Sequence, residues 1–386
     1  SYYQEGLGYE NMKSIFLNKF NFDSSRSEFR SIYVDIVKGV AIISVVLLHT
    51  NFQFPSSHYM PLSSLLGWMW HVAVFFLIGG FFINESKLIQ PFFFIKGKLG
   101  SLYKLLLYFY IPVVLLHNFF IRIGWYDSLT DYGGKYMGFW DLKQMISMLL
   151  QTFCFAGREP ILGAMWFVYV LFLALAGFSI ISFVLKRLIQ NDKQYEWIRF
   201  ITLLVLCVVS CTLTNIVGFT IPRFNNTMTA MWLIYCGYML RNKFQIAFDN
   251  IFLMLASIII IYHLASIYGE VHLNQNYYSD VITLTVGAIA VLYFICYWAK
   301  RLEQSLIGKF LAYCGKESFY IMALHFAGFK LVTYVLNWCG IDRPLSALAA
   351  PVDESGSIML LYVIVGIMFP LFFMYLFRSC KALIKK

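Results

Sequence analysis

An apolar stretch near the start of the chain, residues 30–50, carries four ionisable side chains. Arg30, Asp35 and Lys38 lie at its beginning and His49 lies near its end. An ionisable group at membrane depth costs several kcal/mol unless it faces a partner or a water-filled cavity, so such groups usually serve a function. The His49 imidazole titrates near neutral pH and can take a proton from a substrate, while the cations at the other end can bind an anionic group.

Helical spacing separates these two kinds of chemistry. Asp35 and His49 are 14 positions apart, which on an ideal helix is about 320° of rotation and roughly 21 Å of rise. They share a face but cannot touch, so Asp35 cannot orient the His49 imidazole. Asp35 is expected to pair instead with Lys38, one turn away, or with Arg30. The stretch therefore predicts a cationic site at one end of a helix and a proton-accepting site at the other.

The composition places this helix in a membrane. Of the 386 residues, 60% are hydrophobic and only 13% are charged, which is more apolar surface than one water-soluble core could bury. Several apolar runs approach the roughly 20 residues that a helix needs to cross the hydrocarbon. The net charge of +10 lies mainly in alternate short loops, where Lys and Arg favour the cytoplasmic side and meet anionic lipid. We predict an all-α integral membrane protein that does not bind nucleic acid.

Hydropathy and charge predict about ten transmembrane helices with both termini in the cytoplasm. Residues 1–29 are predicted to be a cytoplasmic tail, partly artificial, and residues 30–386 a single transmembrane domain. An apolar piece of about eleven residues, 145–155, is too short to span, so we place it at the outer interface. The predicted crossings are residues 32–50, 66–83, 105–121, 164–185, 200–219, 228–240, 251–268, 281–299, 318–336 and 358–377.

Four stretches, in this order and with this topology, resemble the membrane-bound acyltransferase-3 family. They are R-x4-D-x2-K-G leading to His at residues 30–49, HVAVFFLIGGF at 71–81, AMWFV-x2-LF at 164–172, and GK-x-S-x-YI-x2-LH at 315–325. Each motif alone is common among membrane proteins, but four in order are specific. The chain departs from the family in one place: where many members carry R-x-x-R after the second helix, it has Lys98 and Ser101.

The resemblance implies a multi-pass O-acyltransferase of the bacterial cytoplasmic membrane. Such an enzyme transfers an acyl group, commonly acetyl from acetyl-CoA, to a hydroxyl of a cell-surface sugar, polysaccharide or glycolipid. Transfer from a thioester to a hydroxyl needs a base for the hydroxyl proton, a donor for the developing oxyanion and cations for the CoA phosphates. It needs no metal and no bound cofactor, and the eight cysteines show no metal-ligand spacing.

We predict a role for each polar residue at the two ends of the first helix and for several residues of the other motifs. The catalytic candidates lie at the outer end, facing the acceptor, and are His49 and His71. The donor-binding candidates lie at the cytoplasmic end and are Arg30, Asp35, Lys38 and Lys98, with Lys316 as a further cation. A third group could bind the acceptor or be structural, and it comprises Arg158, Trp166, Ser318 and His325.

Structural explanations are open for several of these residues. His49 could hydrogen-bond a loop carbonyl at a helix end, and His325 could be a satisfied residue of the helix bundle. Trp166 could belong to the interfacial aromatic belt. Arg158 and Glu159 could form a solvated pair or contact the acceptor. Three further histidines have no motif around them and are predicted to be structural, namely His117, His263 and His272.

A polytopic transporter or flippase for a polar or lipid-linked substrate is the alternative function. Intramembrane His, Asp and Lys side chains also serve proton relays, so they do not by themselves indicate an enzyme. The late GK-x-S motif together with His49 favours the acyltransferase, because a transporter has no evident need for it. Acetyl transfer from acetyl-CoA by the purified protein, lost in His49→Ala, would separate the two.

Overall fold

A computed structural model gives the fold for residues 31–50, 72–126, 138–157, 159–221, 223–346 and 358–384. These residues are helical apart from turns, loops and one β-bridge between His272 and Tyr277. The helices are α1 (Ile32–Leu48), α2 (Val72–Phe81), α3 (Glu85–Leu88), α4 (Pro91–Lys98), α5 (Lys104–Leu115), α6 (His117–Arg122), α7 (Leu142–Phe153), α8 (Trp166–Leu188), α9 (Asp192–Thr212), α10 (Phe224–Tyr238), α11 (Ile251–Tyr268), α12 (Val281–Leu302), α13 (Leu306–Lys316), α14 (Ser318–Trp338) and α15 (Met359–Ile384). Short 3-10 or π-helical turns extend four of them, at Leu99–Tyr103, Pro160–Met165, Leu213–Val217 and Met239–Lys243.

The predicted all-α, polytopic membrane class is confirmed. Seven of the described helical segments are long and apolar enough to cross a membrane. A described helix lies at each of the ten predicted crossings, although α1 has only 17 residues and α2 is described over 10. Ten crossings with both termini in the cytoplasm, and the division into a tail and one domain, remain predictions.

Buried helices form the centre of the bundle and apolar helices surround it. In α1, α2, α10 and α12 most residues are buried. By contrast, only 17% of the most apolar window is buried in the segment that contains α9, and 22% in α11. Exposed apolar side chains of this kind face hydrocarbon in a membrane protein, so the polar groups that could do chemistry lie on the central helices.

The third predicted crossing begins earlier than the sequence indicated. It starts at Pro91, on α4, instead of near residue 105, and a π-helical turn at Leu99–Tyr103 carries it into α5. Proline suits the first position of a helix because its missing N–H would have no intrahelical partner there. Lys98 therefore lies on a helix and not in the cytoplasmic loop to which we had assigned it.

Residues 306–316, which we had assigned to a cytoplasmic loop, form the amphipathic helix α13. The Ser305 hydroxyl caps its start and accepts a hydrogen bond from the Gly308 amide at 2.9 Å. The apolar piece near residue 145 is the 12-residue helix α7, which is too short to span, as predicted.

Helices α1 and α13 cross at two glycines. Gly39 lies against the carbonyl group of Leu311, and Gly315 lies against the carbonyl oxygen of Asp35. A Cβ atom at either glycine would overlap the opposing backbone, so only glycine permits this approach. The contact joins the first and the last of the four motifs and fixes the helix that carries Asp35, Lys38 and His49.

Candidate active site

Two histidines from distant parts of the chain meet at the C-terminal end of α1, the end predicted to face outward. His49 directly follows the last turn of α1, and its imidazole stacks on that of His325 from α14, with ring centroids 5.3 Å apart and an interplanar angle of 30°. The Phe326 ring lies 4.9 Å from the His49 ring. The His49 side chain therefore points into the bundle and not into lipid.

His325 is held in one tautomer by the backbone of its own helix. Its Nδ1 lies 3.0 Å from the carbonyl oxygens of both Ile321 and Met322. Because a carbonyl oxygen can only accept, Nδ1 carries the proton and Nε2 presents a lone pair. His325 is fully buried, and its Nε2 has no hydrogen-bond partner among the described residues. The pair thus offers a buried hydrogen-bond acceptor beside a second imidazole.

The sequence predicted a different neighbour for His49. It placed His71 at the same outer level, but His71 lies outside the described residues, so its role remains a prediction. The proximity of His49 and His325 was missed, although the late motif ends at His325. In the part of the chain described, no group of three His, Cys, Asp or Glu side chains could hold a metal ion.

The other end of α1 carries an ion pair and faces a cleft. Lys38 Nζ donates to Asp35 Oδ1 at 3.1 Å, which confirms one of the two predicted pairings. Lys38 also lies over the Phe82 ring, 5.7 Å from its centroid. Phe82 lines an open cleft of about 460 Å³, whose wall is formed by Phe81, Phe82, Ile83, Asn84, Glu85, Tyr238 and Asn242.

Further cations gather around Tyr33 near the start of α1. Arg241 Nη1 donates to the Tyr33 hydroxyl at 3.3 Å, and Lys300 Nζ lies 5.6 Å from the centre of the Tyr33 ring. Lys98 lies over Phe94 at 5.3 Å, on a different helix from the cleft residues. Arg30 lies outside the described residues. The structure thus adds two cations, from α12 and from the turn after α10, to those that the sequence pointed out.

A buried ion-pair network fixes one wall of the cleft. Arg199 is fully buried, and its Nη1 donates to Glu85 Oε1 at 2.8 Å. The hydroxyls of Tyr195 and Tyr238 each donate to Glu85 at 2.7 Å. Burial alone would raise the pKa of Glu85, but the Arg199 guanidinium and the two hydroxyls outweigh it and lower the pKa below its ordinary value. No pattern in the sequence indicated this network, and Arg199 lies just before the predicted start of the fifth crossing.

The predicted acceptor-side residue Glu159 belongs to a second buried cluster. Glu159 is 1% exposed, so the solvated pair proposed for it with Arg158 is wrong for Glu159, and Arg158 lies outside the described residues. His117 Nδ1 lies 3.1 Å from Glu159 Oε1, and the Tyr126 hydroxyl donates to Glu159 Oε2 at 2.9 Å. Burial raises the pKa of Glu159, while the His117 and Tyr126 hydrogen bonds oppose that rise.

Two rings complete this cluster on the outer side. His117 Nε2 lies 3.2 Å from the carbonyl oxygen of Gly138, and the His117 ring stacks on the Trp140 indole with centroids 3.4 Å apart and planes 2° from parallel. Both ring nitrogens of His117 therefore have partners. This agrees with the structural role predicted for His117, and the cluster fastens the residues on either side of 127–137.

The remaining candidates contact other motifs. Trp166 begins α8 and meets Phe167 edge to face, with centroids 6.3 Å apart. Phe167 in turn packs on Phe76 at 4.7 Å, which joins the second motif to the third. Ser318 begins α14, next to Glu317, whose carboxylate accepts two hydrogen bonds at 2.8 Å from Arg378. These contacts are structural, and roles in binding an acceptor remain predictions.

Comparison with known families agrees with this arrangement. The family model described as acyltransferase domain, of the acyltransferase-3 family, matches residues 31–379, nearly the whole chain. No curated protein and no solved structure matches the chain. The chain therefore belongs to the acyltransferase-3 family and is a membrane-embedded acyltransferase.

Proposed function

We propose that this acyltransferase moves an acyl group, acetyl in the first instance, from acyl-CoA to a hydroxyl of a cell-surface or lipid-linked glycan. One observation carries the proposal: the stacked His49 and His325 lie at one end of α1, while Lys38 and the cleft lie at the other. The acceptor would meet the histidines, and the donor would enter from the cationic end. The membrane would be the bacterial cytoplasmic membrane, which the chain crosses several times.

The acyl transfer itself takes place at the histidine end of α1. The His49 imidazole takes the proton of the acceptor hydroxyl as its oxygen attacks the thioester carbonyl carbon. The carbon–sulfur bond breaks, and the CoA thiolate leaves and is then protonated. His325 stacks on the His49 ring, and its Nε2 lone pair would accept a hydrogen bond from the His49 imidazolium once that has formed, so His325 acts as a positioning residue. Transfer from a thioester to a hydroxyl requires no metal, and acyl-CoA is consumed as a substrate and is not a resident cofactor.

The cationic end suits the nucleotide part of the donor. Lys38, Arg241 and Lys300 supply positive charge around the start of α1, and CoA phosphates prefer such donors. Phe82 is exposed by 56% and offers a flat apolar face in the cleft. From Lys38 to His49 the helix rises roughly 16 Å. An extended pantetheine arm has a length of this order, so the thioester could reach the histidine pair.

The decisive experiment uses the full chain in proteoliposomes with radiolabelled acetyl-CoA and a membrane glycolipid extract. We expect acetyl transfer by the wild type and a loss of about 10²–10⁴-fold in rate in His49→Ala. His263→Ala is the matched control, because His263 lies exposed on α11, and it should keep full activity. Normal transfer by His49→Ala, with both variants equally folded, would show that His49 is not the base in the reaction.

The second test determines from which face of the membrane the donor and the acceptor react. In sealed vesicles of opposite orientation, acetyl-CoA should be consumed when it is presented to the face that carries Lys38 and the C-terminal basic residues. The acceptor should be modified when it is presented to the opposite face. Consumption of acetyl-CoA from the His49 face alone would refute the assignment of the donor site.

A further inference from the structure

A second cavity lies on the outside of the bundle, and no residue of α1 lines it. It is a groove of about 510 Å³ between α9, α10 and α12. Its walls are aromatic and aliphatic over nearly their whole length. The side chains that form them include Trp197, Phe200, Trp232, Tyr235, Met239 and Ile289.

The groove opens towards the hydrocarbon of the membrane. Trp197 and Ile201 on α9 are exposed by 66% and 50%, and neighbouring apolar residues of that helix are exposed as well. Apolar surface of this kind on a membrane-spanning helix faces lipid chains. Along α10 the groove runs from Trp232 to Leu240, a rise of roughly 12 Å. An alkyl chain is the one molecule that is abundant beside this surface and matches its chemistry.

Among the described residues, the charged groups beside the groove lie at only one of its ends. At the deep end, Trp232 Nε1 donates to the Thr285 hydroxyl at 2.8 Å, so the indole has a partner. At the end that the charge distribution places in the cytoplasm, Lys243 Nζ lies 2.8 Å from Glu196, and the Lys243 side chain is 40% exposed. Both oxygens of Glu196 also accept hydrogen bonds from the buried Arg199, at 2.8 and 2.9 Å. Glu196 thus has Arg199 as a second partner, and the Lys243 ammonium, which has three N–H donors, can also bind an incoming anion.

We propose that this groove binds one acyl chain of an anionic phospholipid from the cytoplasmic leaflet, with the lipid phosphate at Lys243. The apolar lining and the lysine at the end of the groove together match a lipid, which joins an alkyl chain to an anionic phosphate. A cationic side chain at the membrane surface favours an anionic headgroup. This lipid site is separate from the proposed catalytic histidines and does not depend on the reaction assigned to them.

Native mass spectrometry of the full chain, extracted in mild detergent, tests the site. The wild type should retain one phospholipid, and Ile289→Trp, which fills the groove, should retain none. Ile282→Trp is the matched control, because it puts the same side chain on an exposed position of the same helix, outside the groove. Equal phospholipid retention by Ile289→Trp, or a second copy of the chain in place of the lipid, would overturn the proposal.

A headgroup test remains informative even if Ile289→Trp does not fold. Lipid-depleted protein is offered vesicles of phosphatidylglycerol or of phosphatidylcholine, and bound lipid is counted. The wild type should take phosphatidylglycerol in preference by about fivefold, and Lys243→Gln should lose that preference. Lys309→Gln, an exposed lysine on α13, should keep it. A wild type that takes both lipids equally would refute the assignment of the phosphate to Lys243.

Discussion

The carbonyl oxygen of Asp35 lies against the Cα of Gly315, closer than any side chain at that position would permit. Asp35 belongs to the helix that carries both ends of the proposed site, and Gly315 belongs to the helix that packs beneath it. The position of α1 in the bundle therefore depends on a residue without a side chain. A single methyl group added at position 315 should therefore lower the stability of the helix crossing that positions the active site.

Gly315→Ala should destabilise the protein by about 1–3 kcal/mol, because the new Cβ must displace backbone in a packed helix crossing. Gly97→Ala is the matched control: nothing lies within 4 Å of a Cβ there, and alanine is the better helix former. Thermal unfolding in detergent, followed by intrinsic fluorescence, measures both variants. Equal unfolding temperatures for Gly315→Ala and the wild type would mean that the α1–α13 crossing can relax freely.

His325→Phe should lower kcat by about a hundredfold while leaving KM for acetyl-CoA nearly unchanged. Phenylalanine preserves the stacked ring but removes the buried Nε2 lone pair beside His49. His272→Phe, on an outer loop where the side chain is 49% exposed, is the control and should behave as the wild type. Steady-state kinetics together with thermal unfolding separate the effect on turnover from one on folding. An unchanged kcat in a folded His325→Phe would leave His325 with a packing role only.

Lys38→Gln should raise KM for acetyl-CoA by about tenfold, equivalent to about 1.4 kcal/mol, with little change in kcat. The reason is that Lys38 supplies positive charge at the cleft where the donor nucleotide is proposed to bind. Lys38→Arg keeps the charge and should restore most of the affinity. Initial rates over a range of acetyl-CoA concentrations give both constants. If the arginine variant is as weak as the glutamine variant, charge is not the property that matters at this position.

Glu85 should make the stability of the protein depend on pH in the acid range. Its pKa in the folded state lies below the ordinary value of 4.5, so the stabilisation it provides is present above that value and is lost as the pH falls through the folded pKa. As the pH falls from about 5 to about 3, the unfolding temperature of the wild type should fall more steeply than that of Glu85→Gln. Parallel curves for the two proteins would show that the contacts of Glu85 with Arg199, Tyr195 and Tyr238 do not make the folding stability depend on pH.

Local features of the fold could be predicted from the sequence because they depend on neighbouring residues. Apolar runs marked the helices, and the spacing of Asp35 and Lys38 predicted their ion pair. The length of the piece around residue 145 showed that it could not span. Each of these inferences uses residues within a few helical turns of one another.

Contacts between distant segments could not be predicted in this way. His49 and His325 meet only because α1 and α14 pack in one bundle, and no periodicity in either helix encodes that. Arg199 is buried beside Glu85, 114 positions away in the sequence, and no local motif links the two. Glu159 looked solvated because its partners His117 and Tyr126 lie far away in the sequence.

The cluster of His117, Glu159, Tyr126 and Trp140 fastens the chain on both sides of residues 127–137. Tyr126 and Gly138, which flank that interval, are therefore tied to one another through a single carboxylate–imidazole pair. Loss of either Glu159 or His117 would release both flanks at once, so two side chains remote from the proposed histidine pair govern how this part of the chain is held.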